Sequence, residues 1–450
     1  MRISKVLVST IFFLLLFPQI HYFPFLPRYE TSPIPGLLAL FYIGAQFLLR
    51  IRQSPKTALP AFSAVLAVPA VCLLLSAVYF RRADINSPVY VQFFLKTSIS
   101  LLLGCGIFSF FLYIKEDELL PGVLFAAVII WCVGGIIYSV PACSAARQIM
   151  TIIKTRTPHV IHDRGVGIFA SEPSYAGISL VCMLAIFQYF RIRNKFSVIK
   201  TSSFTIVFVF MVYITRSVHS FLLFVVFISI SFVFYIVHAV THNRRMLFIV
   251  PVCVLCAGIL LNILSRNTQH RVGNLMHRMM NNPALLFHDQ SIASRSAFIH
   301  LAFGGLIQSK GLGYGAGSYS TNWMRLADDI NIFKKYPWAM TMRHCYKSRT
   351  PMMPMTFFGG VAHDYGIFGL AAVLFLLLRP LYKIIKSKYR ICKREHRFVI
   401  LATVLIVFIW MQACAYALSY PWIVLALCWR AAGINNVKLE NDLIPQPHLK

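Results

Sequence analysis

Residues 356–397 read TFFGGVAHDYGIFGLAAVLFLLLRPLYKIIKSKYRICKREHR. From Thr356 to Leu378 this stretch holds one acid, Asp364, and no Lys or Arg. From Arg379 to Arg397 it holds nine basic groups, His396 included, against Glu395 alone. An α-helix rises about 1.5 Å per residue, so about twenty apolar residues cross a hydrocarbon layer about 30 Å thick. The first half is long enough to span a bilayer. A dense run of Lys and Arg directly after a span stays on the cytoplasmic side. The stretch therefore reads as a membrane-crossing helix running from outside to inside, and it sets the class of the chain as all-α and membrane-embedded.

The pattern recurs. Apolar segments lie at 6–20, 34–50, 58–80, 90–114, 120–140, 168–190, 199–214, 219–240, 246–264, 356–378, 398–414 and 416–431. A backbone in lipid must bond its own polar groups, so these segments predict a polytopic helix bundle of about twelve transmembrane helices. We read residues 1–450 as a single transmembrane domain. The last pair is split only at Tyr416 to Pro421; merging it would leave eleven spans and put the C-terminus outside. The N-terminal MRISKVLVSTIFFLLLFPQI has the charge and length of a signal peptide but no small-residue cleavage site, and reads as a retained first helix.

Composition agrees. Of 450 residues 58% are hydrophobic and 13% charged, where soluble domains have about 45–50% and about 25%. The net charge of +29 comes from 43 Lys and Arg against 14 acids. Those basic groups sit in the gaps between apolar runs, which argues against a nucleic-acid-binding face. Of the cysteines, Cys253 and Cys256 form a CxxC inside an apolar segment and read as buried thiols. Cys143 and Cys345 fall in outer loops, and the sequence leaves open whether they pair.

The Lys and Arg distribution orients the spans. Arg50, Arg52 and Lys56, then Arg191, Arg193, Lys195 and Lys200, then Arg244 and Arg245, then 379–397, all fall on one side if the spans alternate. That side is the cytoplasm, and both termini lie there. The 141–167 connection and the large, partly helical 265–355 loop then lie outside, with Arg81 and Arg82 as a short exception. Lys96, inside the fourth segment, reads as a side chain reaching for the outer interface.

The outer loops are rich in cations despite their position. Residues 141–167 hold Arg147, Lys154, Arg156 and Arg164 against Asp163, and 265–355 holds seven Arg and four Lys against three Asp. Such a surface suits an anionic ligand or anionic headgroups. At 164–177, RGVGIFASEPSYAG has the grammar of a helix start, with Ser171 or Glu172 as cap and Pro173 in the first turn. Glu172 either caps that helix and neutralises Arg164 or serves as a base at the membrane boundary. The helix N-terminus favours a phosphate, with Arg164 near enough to share it. The tight turn at 215–220, TRSVHS, places Arg216 where a charge is costly unless an anion or polar group receives it. Arg295 opens an apolar stretch that leads to alternating glycines at Gly311, Gly313, Gly315 and Gly317, which permit close backbone approach or make an irregular turn. His363, beside Asp364 and Tyr365, is either structural or an acid–base group.

Together these segments resemble the O-antigen polymerase and O-antigen ligase superfamily, the Wzy-like proteins of bacterial envelopes. RGVGIFASEPSYAG looks like that family's Arg, Gly and Glu-Pro-Ser helix opening. ITRSVHSFLLFVVF looks like its Thr-x-Ser-Arg-type hairpin, although here Arg216 precedes Ser217. SRSAFIHLAFGGLIQSKGLGYGAGSY and HDYGIFGLAAVLFLLL look like its late Arg, Gly-x-Gly and Gly-x-x-Gly-Leu region. The resemblance implies a glycosyltransferase of the inner membrane, active on its periplasmic face. It would move an oligosaccharide from undecaprenyl pyrophosphate to a sugar hydroxyl of another lipid-linked repeat, building O-antigen, capsule or exopolysaccharide. It implies Glu172 first and His363 second as the base, and Arg164, Arg216 and Arg295 on the pyrophosphate, with no metal or cofactor. A chain-length regulator is the expected protein partner, alongside the bilayer itself. Ligases of the superfamily place a His farther ahead of the Gly-x-x-Gly-Leu turn than His363 stands, which favours a polymerase. A ligase, or a non-enzymatic lipid-linked oligosaccharide flippase, are the alternatives; no internal repeat favours the latter.

Overall fold

The computed structural model describes residues 2–20, 31–53, 88–114, 119–140, 143–152, 167–170, 172–193, 196, 198–215, 217–242, 273–274, 277, 282, 288–386, 394–413, 416 and 418–433. Every element formed by these residues is a helix. In chain order they are α1 (Arg2–Leu15), α2 (Ile34–Gln53), α3 (Pro88–Tyr113), α4 (Pro121–Ser139), α5 (Ser144–Ile152), α6 (Pro173–Ile192), α7 (Val198–Thr215) and α8 (Val218–His242). Then come α9 (Gln290–Gln308), α10 (Tyr319–Asp329), α11 (Ile332–Lys335), α12 (Met340–Lys347), α13 (Phe357–Lys386), α14 (Arg394–Gln412) and α15 (Ser419–Ala431). Among the described residues five helices, α3, α4, α6, α13 and α14, are long and apolar enough to cross a membrane. Parts of α1, α2, α7 and α8 are shorter apolar helices.

Ten of the twelve apolar segments fall on described residues, and each coincides with a helix. The segments 58–80 and 246–264, with Arg81 and Arg82, lie outside the described residues. The doubtful last pair forms two helices, α14 and α15, packed on each other. Pro421 sits in the first turn of α15, where its missing N–H has no helical partner to lose. At 13 residues α15 is short for a span, yet Ser419 to Trp429 are all buried against α3, α6, α13 and α14. It is a core helix of the bundle, wrapped on every side by longer ones.

Contacts fix the relative directions. The Thr356 hydroxyl donates to the Trp410 carbonyl (3.1 Å) and the Phe357 amide to Ala413 (3.1 Å), so α13 begins where α14 ends. Ser220 Oγ donates to the Pro173 carbonyl (3.1 Å), so α6 and α8 begin together. Gln188 and Arg191 line one cleft with Ser231, Arg394 and Arg397 at the other end of α6. The bonds from Arg430 to Phe111 (2.9 Å) and Ile114 (2.8 Å) join the ends of α15 and α3. Two basic segments assigned to one side by charge, around Arg191 and around Arg394, thus share one end of the bundle.

Helices meeting in lipid gain little from the hydrophobic effect and rely on close packing at small residues. A Cβ on Gly177 would stand 1.7 Å from Ser220 Oγ, and one on Gly104 would stand 2.4 Å from the Trp422 indole nitrogen. These glycines let α6 approach α8 and α3 approach α15. Beyond the bundle, α9 to α12 close over a separate core built on Phe298, Leu301, Tyr319, Trp323 and Met342. The 265–355 loop is, over its described part, a small helical layer with its own apolar interior.

Candidate functional site

At the start of α6, Glu172 occupies the capping position with extended backbone (φ −134°, ψ 153°), and Pro173 opens the helix. Its carboxylate makes no capping bond to the helix amides. It is exposed, and Ser174 Oγ donates to it across 3.4 Å. Of the two readings open in the sequence, capping by the side chain is not realised. Ahead of Glu172, the Ala170 amide donates to the Gly167 carbonyl (2.6 Å) in a tight turn.

The 215–220 turn lies against that helix start. Thr215 Oγ1 donates to the Val212 carbonyl (2.7 Å), and the Ser220 amide donates to Ser217 Oγ (3.3 Å), so the turn is stitched by its own hydroxyls. His219 is buried and its Nδ1 contacts Gln412 Oε1 at the end of α14. Its Nε2 has no hydrogen-bond partner among the described residues. The positive charge of Arg295, in the second turn of α9, reaches the same ring. The pair His219 and Gln412 was not among the sequence candidates. Its one trace in the sequence is an amide at the end of a long apolar helix, which by itself points nowhere.

The second constellation is built on α13. His363 is fully buried, with Nδ1 3.0 Å from Asp364 Oδ1 and 3.4 Å from Ser318 Oγ. Tyr314 stacks on the ring (centroids 5.2 Å apart) and Tyr319 meets it edge-on (5.1 Å). Gly305 of α9 closes the remaining face, since a Cβ there would stand 2.3 Å from His363 Cδ2. Serine, histidine and aspartate are present, but both partners meet the same ring nitrogen. The trio cannot relay a proton from serine through the ring to the carboxylate. Nε2 has no hydrogen-bond partner among the described residues and is enclosed.

Asp364, 1% exposed, accepts from the Gly317 amide (2.9 Å), the Tyr319 amide (3.2 Å) and Ser318 Oγ (3.2 Å). Those donors open α10, so a carboxylate on α13 caps a helix 45 residues earlier. The alternating glycines dock on the same place. The Tyr314 amide donates to the His363 carbonyl (2.9 Å), Gly315 to Asp364 (2.8 Å), and Ile367 to Gly311 (2.8 Å). Gly366 breaks α13 there with φ 66° and ψ −158°, and a Cβ on it would lie 2.4 Å from the Gly311 carbonyl. The glycine loop approaches the backbone of α13 closely; it is a clasp between the outer layer and the bundle.

Glu172, the 215–220 turn and Arg295 therefore gather at one end of the bundle, while His363 lies enclosed under the outer layer. Arg164 and Arg216 lie outside the described residues. Cys143 and Cys345 are free thiols. Among the described residues no cluster of His, Cys, Asp and Glu could hold a metal ion. Compared with known protein families and with curated proteins, the chain matches none.

Proposed function

We propose that this chain is a bacterial inner-membrane polysaccharide polymerase of about twelve spans, with both termini cytoplasmic and its working face periplasmic. Its substrate is an oligosaccharide on undecaprenyl pyrophosphate, and its acceptor a sugar hydroxyl on a second lipid-linked repeat. The observation that carries this reading is the start of α6. An exposed carboxylate stands off the helix amides, beside a turn that packs on the same helix and close to an arginine-bearing helix.

In this reading Glu172 takes the proton of the acceptor hydroxyl, a role that supplies about 10²–10⁴ in rate. The hydroxyl oxygen attacks the anomeric carbon as the bond to the pyrophosphate oxygen breaks, and the pyrophosphate leaves with the electron pair. Arg295, together with Arg164 and Arg216, holds the departing charge, each charge-assisted bond being worth about 1.5–3 kcal/mol. The partial positive charge at the start of α6 adds to that field. His363, enclosed by Tyr314, Tyr319 and Gly305, positions the outer layer and takes no proton from substrate.

Deleting the gene and resolving surface and lipid-linked glycans by size tests the reading. A ladder that collapses to single repeats still reaching the surface supports a polymerase. Long chains accumulating on the lipid carrier would make the protein a ligase instead. An unchanged ladder would remove the transferase reading altogether.

A further inference from the structure

α9 belongs to the outer layer, yet its last turn lies beside the apolar part of α13. The two helices run the same way. A Cβ on Gly359 would stand 2.7 Å from Ala302 Cβ, one on Gly305 would stand 2.3 Å from His363 Cδ2, and the Ile367 amide donates to Gly311 (2.8 Å). From Phe357 to Gly366 every residue of α13 is buried. Beyond the break the helix opens: Ile367 and Phe368 are each 56% exposed, and Leu374, Phe375 and Leu378 continue the exposed apolar side. On a helix long and apolar enough to cross a membrane, that side faces lipid.

The end of α9 extends the same surface. Ile307 is 78% exposed and Leu312 36%. Ile307 stands one turn ahead of Gly311, whose amide donates to the Leu306 carbonyl (2.9 Å), and a Cβ on Gly366 would stand 2.4 Å from the Leu312 backbone. Irregular backbone is tolerated against hydrocarbon only where its own polar groups are bonded, whereas a loop in water leaves some amides to the solvent. Every amide from Ser309 to Gly315 has an acceptor within the protein. Ser309 donates to Gly305 (2.9 Å), Lys310 to Ile307 (3.0 Å), Leu312 to Ser309 (3.2 Å) and Gly313 to Ser309 Oγ (2.9 Å); Gly311 bonds Leu306, and Tyr314 and Gly315 bond α13. Polar side chains set the depth. Gln308 Nε2 donates to Asp329 Oδ2 (3.5 Å), and Lys310 is exposed. These groups hold the turn at the headgroup boundary, where an interfacial segment buries its apolar side by about 5–10 Å and a lysine reaches back to water.

We propose that the end of α9 is set into the bilayer leaflet on its side, with Ile307 and Leu312 among the acyl chains and Lys310 at the phosphates. The outer layer is then anchored to phospholipid as well as to α13. The assignment does not depend on the transfer reaction proposed above, because it uses none of that reaction's residues.

Nitroxide labels on cysteines placed one at a time at Ile307, Leu312, Phe368 and Lys347, with the native thiols removed, test it in phosphatidylglycerol–phosphatidylethanolamine vesicles. Collision with oxygen, which concentrates in lipid, is compared with collision with a nickel chelate that stays in water. Labels at positions 307 and 312 are expected to match the one at 368, with an oxygen-to-nickel ratio several-fold above that at 347. A ratio equal to that at 347 would place the turn in water and overturn the proposal. Weak collision with both reagents would put a protein surface there instead, and overturns the lipid as occupant. If the cysteine-free chain does not fold, a benzophenone side chain at position 307 of the otherwise native chain carries the test. It should cross-link to phospholipid where the same group at position 347 does not, and equal yields at the two positions overturn the anchor.

Discussion

Asp364 and Glu172 are both carboxylates at helix starts, and they do opposite things. Asp364 is buried and spends its oxygens on two amides, a hydroxyl and a ring nitrogen. Glu172 is exposed and leaves its helix amides alone. D364N should therefore destabilise the protein by about 2–4 kcal/mol, through weakened charge-assisted bonds to the start of α10, read as thermal unfolding in detergent. E172Q should move that midpoint by less than about 0.5 kcal/mol while polymer length collapses to single repeats. A normal ladder in E172Q would remove Glu172 from the reaction. Within the outer layer, burial and then the Lys335 charge lower the pKa of His300 below its usual 6.5, and its Nδ1 lies 3.4 Å from the Tyr336 hydroxyl. The unfolded chain then binds more protons than the folded one just below that value, so this stability is complete above pH 6.5 and lost as the medium is acidified. H300Q should flatten the acid limb of a stability–pH profile for the outer layer; an unaltered limb would assign it to another group. At this scale the sequence is only half legible. SEPS marks a helix start plainly, but whether its glutamate caps or stays free depends on backbone angles that the letters do not carry. Asp364 looked like a neighbour of His363, because its amide partners lie 45 and 47 residues away.

The element that organises the outer end is α13, thirty residues long and broken at Gly366. With φ 66° and ψ −158° that residue lies where side chains are strained, and any Cβ meets the Gly311 carbonyl and the Leu312 backbone. G366A should cost about 3 kcal/mol or more, from strain and overlap together. Limited proteolysis should show the loss first at residues 309–318, with the bundle still protected. Equal protection of both would mean that the clasp is not made in solution. The glycine alternation at 311–317 was visible as a pattern, but its partner was not. Backbone docking on backbone leaves no side-chain periodicity to read, only the absence of Cβ atoms on two distant stretches.

The bundle as a whole was the most legible level, because lipid permits so few solutions. Ten described segments were placed from hydropathy alone, and α15, only 13 residues long and walled in by protein, was found by its apolar letters although it lacks a span's length. What hydropathy does not supply is which helices touch, since that turns on single glycines such as Gly177 and Gly104. Alternation predicts that cysteines placed one at a time at Lys310 and Lys386, with the native thiols removed, react from opposite sides of the membrane. A membrane-impermeant maleimide should label the first in cells with a permeabilised outer membrane and the second only after lysis; labelling of both from one side would break the orientation. The clasp at Asp364 also bears on how the protein is made. Residues 290–347 leave the ribosome before the residue that finishes α10, so the layer they form waits, translated but incomplete, until the helix carrying Asp364 has followed it.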